Sequence, residues 1–345
     1  MDTNFRLAAL TLLSSFVLAS CGGGGSSTDT APVAPPPAGG ITDAARIAAA
    51  SATVASNPKC STGTLGAFYW EIGDANGVKA SGSVGTSAPT ATTSMWVFSA
   101  SKWLYAANVV QKNGVRDADA PYLNFTSGYT NFGNAPVCLG GSSDSVQECL
   151  AGRDTQDPAT IGKFDYDSGH MQHHAANVMG LGAAGNPELA ADLNATIGNM
   201  GFSYTVPQLA AGVVVSPQGY GQFLRRLLRN ELALGAALGT RKVCAQQAAS
   251  GCNAAYTPDS IGSEAWNYSL GHWVEDDPSI GDHAFSSPGG GGFYPWINSA
   301  KTYYGIVARE RETESAAGYH SAECGRLVRQ AWTTGVQVTA TTPAP

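Results

Sequence analysis

The chain has 345 residues, 43% of them hydrophobic, 9% aromatic and only 13% charged, with 42 glycines and 18 prolines. That is enough apolar sequence for one large core or two modest ones, and it excludes a disordered chain, which would carry more charge and fewer large apolar side chains. With 19 basic against 26 acidic residues the formal charge is −7, so no surplus of cations exists for a phosphate backbone and no nucleic-acid partner is expected.

Residues 7–19, LAALTLLSSFVLA, form an apolar stretch too short to span a bilayer, preceded by Arg6 and the terminal amine. It ends in Leu18-Ala19-Ser20-Cys21, which resembles a bacterial lipobox. The resemblance implies a signal peptide over 1–20 and acylation of Cys21. Gly22, rather than Asp, follows the cysteine, and similarity to enteric lipoproteins then implies sorting to the outer rather than the inner membrane. Residues 22–40 are Gly, Ser and Pro-rich, cannot bury enough surface to fold, and extend the lipidated residue 21 into a flexible tether. The expected location is the periplasmic face of a bacterial envelope, with membrane contact only through the lipid. The folded domain is expected over 41–338, followed by a disordered tail at 339–345.

Of seven cysteines, assigning Cys21 to lipid leaves six, and an exported chain permits disulfides. Short spacing favours Cys138–Cys149 and Cys244–Cys252, which leaves Cys60–Cys324 to tie the start of the domain to its end. No C-x-x-C occurs, which removes the best support for zinc or thioredoxin-type chemistry.

In chain order, residues 42–55 read as a capped helix, and 65–72 and 78–84 as strands joined by an Asp-Ala-Asn-Gly turn. Residues 99–113 have helical spacing with Gly114 as a stop, and 115–165 read as loop. Helical patterns return at 168–182, 187–200 and 217–234. Strand patterns follow at 266–275, 283–287, 292–298 and 302–309, before a closing helix at 318–333. The class is α+β: an antiparallel sheet from the N- and C-terminal strands (41–98 and 262–338), flanked by helices, with a helical subdomain inserted over 99–261.

Ser99-Ala100-Ser101-Lys102 carries the chemistry. A serine is a poor nucleophile until a base takes its proton. At a helix start, residues i and i+3 share a face, so Ser99 Oγ and Lys102 Nζ can meet, and apolar neighbours can keep the lysine neutral near pH 7. Ser56-Asn57-Pro58-Lys59 repeats the spacing, but Pro58 denies it the helix that the geometry needs. His170, His173 and His174 also share a helical face. Without H-E-x-x-H they read as a polar face near a pocket rim, and no metal or other cofactor is expected. The absence of G-x-S-x-G removes the α/β-hydrolase route.

Downstream of S-x-S-K come Tyr166-Asp167-Ser168 and, before a strand, Ser286-Ser287-Pro288 with Gly291-Gly292-Phe293. This ordered set, with AAGVVVSPQGYGQFLRRLL at 210–228 and YSLGHW at 268–273, resembles the serine β-lactamase and penicillin-binding-protein superfamily, over roughly 45–335. Within it, the class C β-lactamase and family VIII esterase branch, which includes the 6-aminohexanoate-dimer hydrolases, is the most similar. The resemblance implies a β-lactamase/transpeptidase-like fold and an acyl-enzyme mechanism. Ser99 would be the nucleophile, with Lys102 and Tyr166 sharing the base and proton-relay roles and Ser168 holding the lysine. The backbone N–H groups of Ser99 and Gly289 would form the oxyanion hole. Ser287, Tyr204 and His170 are further pocket candidates.

The third motif departs from the family. Its usual Lys or His, which helps bind a substrate carboxylate, is replaced by uncharged Ser286. Losing one charge-assisted hydrogen bond costs about 1.5–3 kcal/mol, which disfavours β-lactams and D-Ala ends. The expected function is therefore hydrolysis of small-molecule esters or amides by a monomer. A β-lactamase or D,D-peptidase would need a cation from elsewhere, such as Arg309 or Arg311. A catalytically silent envelope-binding protein is the third alternative.

Overall fold

The computed structural model describes residues 40–134, 138, 144–247, 249–311 and 316–344. The segment expected to be a signal peptide, Cys21 and all but the last residue of the expected tether lie outside them. Ile41–Pro345 make one compact unit. Among the described residues no helix is long and apolar enough to cross a membrane.

The N-terminal helix α1 (Asp43–Ser56) is capped by Thr42, whose side chain accepts from Ala45 N at 3.2 Å. Strands β1 (Phe68–Asp74) and β2 (Gly77–Val84) form the expected hairpin, its turn closed by Asp74 Oδ1 accepting from Asn76 N and Gly77 N. A short helix, Thr62–Leu65, takes Leu65, the residue expected to begin the strand, and β1 starts at Phe68.

The next strands are short: β3 (Met95–Trp96), β4 (Phe164–Asp165), β5 (Ser203–Tyr204), β6 (Val213–Val215), β7 (Val243–Cys244) and β8 (Ala254–Tyr256). Strands β3, β6 and β5 make a small antiparallel sheet, and β4 pairs with β8 in parallel. The later strands are β9 (Asn267–Ser269), β10 (His272–Val274), β11 (Phe285–Ser286), β12 (Tyr294–Ile297) and β13 (Tyr303–Ala308). They join the hairpin in an eight-stranded sheet of order β2-β1-β13-β12-β11-β10-β9-β7, antiparallel throughout. The first and last strands are thus neighbours, with Trp70 opposite Val307.

Two expectations are corrected here. Residues 266–275 are a hairpin rather than one strand, because Leu270 and Gly271 both take positive φ, 40° and 80°, as a two-residue turn requires. The segment 99–261 is not purely helical: β4 to β8 lie within it, and β7 extends the main sheet.

Helix α2 (Ser101–Asn113) is buried along every residue from Ser101 to Val110, the mark of a helix inside a core. Residues 168–182 resolve into α3 (Gly169–His173) and a π-helical turn, His174–Val178. Helices α4 (Asn186–Ile197) and α5 (Pro217–Leu228) follow, and α6 (Ala317–Thr334) closes the fold. Alternate residues of the sheet face different helices. Trp296 and Tyr294 meet α6, whereas Tyr304 meets α5 through Arg225.

All three disulfides pair as the spacing predicts: Cys60–Cys324, Cys138–Cys149 and Cys244–Cys252. The tail expected to be disordered from 339 instead lies on the fold through residue 344. Asn57 Nδ2 donates to the carbonyls of Val338 and Ala340, and Ala344 N donates to Gln330 Oε1.

Buried charge fixes α6 to the sheet. Arg326 makes a bidentate contact with Glu264 and a third bond to Glu275. Arg329 binds Glu275 at 2.7 Å and Asp282, and Tyr294 Oη donates to Glu275 at 2.6 Å. Burial alone would raise the Glu275 carboxyl, but the Arg329 and Arg326 guanidinium groups hold it below the ordinary range. Its stabilising effect is therefore present above the ordinary carboxylate pKa and lost as pH falls toward the depressed one. Glu275→Ala is expected to cost about 3–5 kcal/mol in urea unfolding at pH 7, because two buried cations lose a partner. A cost below about 1 kcal/mol would show that the network does not hold the helix.

Candidate active site

The backbone around Ser99 is clamped from several sides. Strand β3 pairs with β6, and Val97 N extends the pairing to Val213 O at 3.0 Å. Phe98 then turns to φ 47°, a left-handed value that a bulky residue adopts at a cost of about 1–3 kcal/mol. Its ring stacks on Trp96 with centroids 4.7 Å apart. The turn leads through a 3₁₀ segment, Phe98–Ala100, directly into α2. Three contacts lock it. Tyr220 Oη donates to Ala100 O at 2.9 Å, Val213 N to Ser101 Oγ at 3.1 Å, and Ser287 Oγ to Ser99 O at 3.2 Å.

One turn along, Lys102 Nζ lies 2.9 Å from Ser99 Oγ and donates to Ala210 O at 3.0 Å. The lysine is 0% exposed, with the rings of Tyr166 and Phe125 centred 4.9 Å and 6.0 Å from Nζ. Burial pulls its pKa from 10.5 down to about 7, and the nearby Asp167 carboxylate only partly opposes this. The side chains of Ser99 and Trp273 lie near enough to the Tyr166 hydroxyl to favour its ionised form, and its ring stacks on Trp273 at 5.3 Å. Burial raises the Tyr166 phenol to about 12 despite those two neighbours. Serine, lysine and tyrosine, 67 positions apart at the extremes, thus share one contact cluster.

Ser99 and Tyr166 open onto a cleft of about 710 Å³, including space at its mouth. Tyr256, Pro258, Ile261, Pro288, Gly290 and Tyr319 are among its walls, and no Lys, Arg or His lines it among the described residues. A cleft of this size suits a small organic substrate.

Several expected roles are not met. Ser168 does not hold the lysine: its Oγ donates to Asn134 Oδ1 at 3.4 Å, and the carbonyl of Ala210 takes the role instead. Gly289 N–H is committed to Phe293 O at 2.8 Å, closing the glycine turn, so it is not a free oxyanion donor. Gly290, next in the chain, is exposed, lines the cleft and donates no backbone hydrogen bond among the described residues. Gly289 itself is required by space, since a Cβ there would sit 2.1 Å from Val97 O.

Tyr204 packs over Gly212 and does not line the cleft. Ser287 reaches the site only through the Ser99 carbonyl. His170 is buried between Ser127 Oγ and Asp165 O, and burial pushes it down to about 3. His173 meets Asp154, while His174 meets Tyr105 and Asp119, so the three histidines diverge rather than forming a rim. Among the described residues no cluster of His, Cys, Asp or Glu is arranged to hold a metal.

Arg309 is spent on Ser321 Oγ and the carbonyls of Leu65 and Ala317, and Arg311 lies over Gly66; neither lines the cleft. Ser56 caps back onto Ala52 O and Lys59 pairs with Glu323, so the second S-x-x-K is structural. Asn134, Tyr256 and Tyr319 were not legible in the sequence. They come from a loop, the end of β8 and the start of α6, and only the fold brings them together.

No protein-family model and no curated protein matches the chain. Solved structures do. The chain is similar to the hydrolase EstCE1, described as having promiscuous acyltransferase activity, at 12% identity and TM-score 0.55, over 85% of this chain and 100% of the other. A β-lactamase from Mycobacterium bovis matches at 13% identity and TM-score 0.52, over 83% and 99%. A D-stereospecific amidohydrolase from a Streptomyces species matches at 14% and 0.51, over 86% and 99%. The long antiparallel sheet, the buried serine-bearing helix and these likenesses together show that the chain has the β-lactamase/transpeptidase-like fold.

Proposed function

We propose that the chain is a serine hydrolase of the S-x-x-K type, cleaving uncharged carboxylic esters or small amides through an acyl-enzyme. The observation that carries this is the 2.9 Å approach of a fully buried Lys102 Nζ to Ser99 Oγ. A neutral amine keeps one N–H for Ala210 O and turns its lone pair to the Ser99 hydroxyl proton. With the lysine near 7 and the phenol near 12, Lys102 is the base and Tyr166 the relay.

Ser99 Oγ attacks the acyl carbonyl while its proton passes to Lys102 Nζ. The Tyr166 hydroxyl hands a proton to the departing alkoxide or amine and is reprotonated from the lysine. Water then attacks the acyl-serine by the reverse path and frees the acid. The N–H groups of Ser99 and Gly290 are the oxyanion donors we assign. A cleft with no cation among its described lining residues supports uncharged substrates over the carboxylates of β-lactams and cell-wall peptides.

We place the enzyme at the periplasmic face of a bacterial envelope, held by a lipid on Cys21. The lipobox-like sequence and three disulfides support that setting, and Cys21→Ser is expected to abolish labelled-palmitate incorporation.

A fluorophosphonate probe is expected to label the wild type and Ser56→Ala but not Ser99→Ala. On the same preparation, p-nitrophenyl butyrate should turn over and nitrocefin should not. Labelling that survives Ser99→Ala would remove the mechanism, and the absence of any labelling would favour a silent binding protein.

The pH dependence follows from the lysine. Below about 7 it is an ammonium and cannot accept a proton, so kcat/KM should fall about tenfold per pH unit on the acid side. Its folded pKa lies below the unfolded value, so the unfolded chain binds more protons between about 7 and 10.4, and stability rises with pH across that window. Lys102→Met should lower kcat by about 10²–10⁴ and stabilise the fold by on the order of 2–4 kcal/mol at pH 7. A destabilised Lys102→Met, read by urea unfolding, would contradict the buried-amine account.

A further inference from the structure

The cleft has a rigid aromatic wall that the proposed hydrolysis does not itself require. Tyr319 lies in the first turn of α6 and lines the cleft beside the glycine turn. It gets there because its neighbour is Gly318: a Cβ at 318 would come within 2.5 Å of Gly289 O, so only glycine lets the helix start press against that turn.

The side chain is then fixed from behind. Tyr319 Oη donates to Glu264 Oε1, and Glu264 is itself held by both Arg326 Nη groups and by Trp266 Nε1 at 2.6 Å. The Arg326 guanidinium lies 5.9 Å from the Tyr319 ring centroid. Glu264 and Arg326 are only 4% and 3% exposed, so this anchor is part of the core. Tyr256, 44% exposed, contributes a second phenol ring to the same cleft. Pro258, Ile261 and Pro288 add apolar surface beside the two rings.

Resting on the hydrolase reading, we propose that Tyr319 is a specificity-determining residue that packs against a flat, uncharged aromatic group of the substrate, and that Glu264 positions it through its hydroxyl. A ring held before substrate arrives loses little rotamer freedom on binding, so contact with an aryl group appears as affinity. Such contact is made equally in ground and transition states and is therefore read in KM rather than kcat.

The test uses three esters followed by acid release: methyl butyrate without a ring, methyl phenylacetate with the ring on the acyl side, and benzyl acetate with it on the leaving side. The wild type should show a KM for one ring-bearing ester about tenfold below that for methyl butyrate, and which ester does so assigns the side that Tyr319 faces. Tyr319→Ala should erase most of that ratio. Tyr319→Phe, which keeps the ring but frees it from Glu264, should erase about two- to threefold of it, with kcat for the aryl ester moving less than KM.

Rates are normalised to phosphonylation of Ser99 by a small alkyl fluorophosphonate, which reports an intact nucleophile in each variant. If Ser99 is labelled and the ratio is the same in wild type and Tyr319→Ala, the inference is overturned while the hydrolase reading stands. If the wild type is not labelled at Ser99, both fail together.

Discussion

The site depends on keeping one amine out of water. Lys102 sits in the first turn of a helix whose every residue through Val110 is buried, with aromatic rings on one side and a backbone carbonyl on the other. Among the described residues no carboxylate forms a salt bridge with it; Asp167 acts only at a distance, and its oxygens accept from the N–H groups of Gly133 and Gly169. A lysine paired to a carboxylate would stay charged and useless as a base. In the mechanism we propose, desolvation without pairing turns an ordinary side chain into a proton acceptor, at a cost in stability that the rest of the core must offset.

The architecture can be understood as the means of holding that arrangement. Helix α2 packs against α4 and the short helix Ala233–Ala237, and its Trp103 stacks on His272 of the main sheet, so Lys102 is held inside the core. The three-stranded sheet brings Ala210 O and Val213 N against the helix start, and the strained Phe98 aims the serine hydroxyl at the cleft. On the far side, the Glu264–Arg326–Glu275–Arg329 network seats α6 and with it the cleft wall at Tyr319. Charge is used in opposite ways in the two places. It is paired and satisfied where α6 meets the sheet, and left unpaired at the amine that the proposed mechanism uses as a base.

Ser99, Lys102 and Tyr166 were legible in the sequence because their relation is local or ordered: one helical turn for the first pair, one motif after a long loop for the third. The hairpin β1–β2 and the disulfides were legible for similar reasons of spacing. What escaped depends on partners that no spacing encodes. Ser168 turned away from the lysine because Asn134, in a neighbouring loop, was there to accept its hydroxyl. Gly289 lost its N–H to Phe293 because four glycines allow so tight a turn. The His170 face was polar by composition, yet the loop carrying Phe125 and Ser127 buried it. Strands of two or three residues, such as β5 and β6, are below the length at which alternation carries a signal.

The account stands on the ionisation state of a single nitrogen, and that can be observed without any substrate. In protein labelled with ¹⁵N at lysine Nζ, the resonance absent from Lys102→Arg belongs to this residue, and its shift can be followed from pH 5 to 11. A midpoint near 7 is the predicted result. A midpoint above about 9.5 would mean that the amine is an ordinary cation in the folded protein, and the base assigned to Ser99 would have to be abandoned.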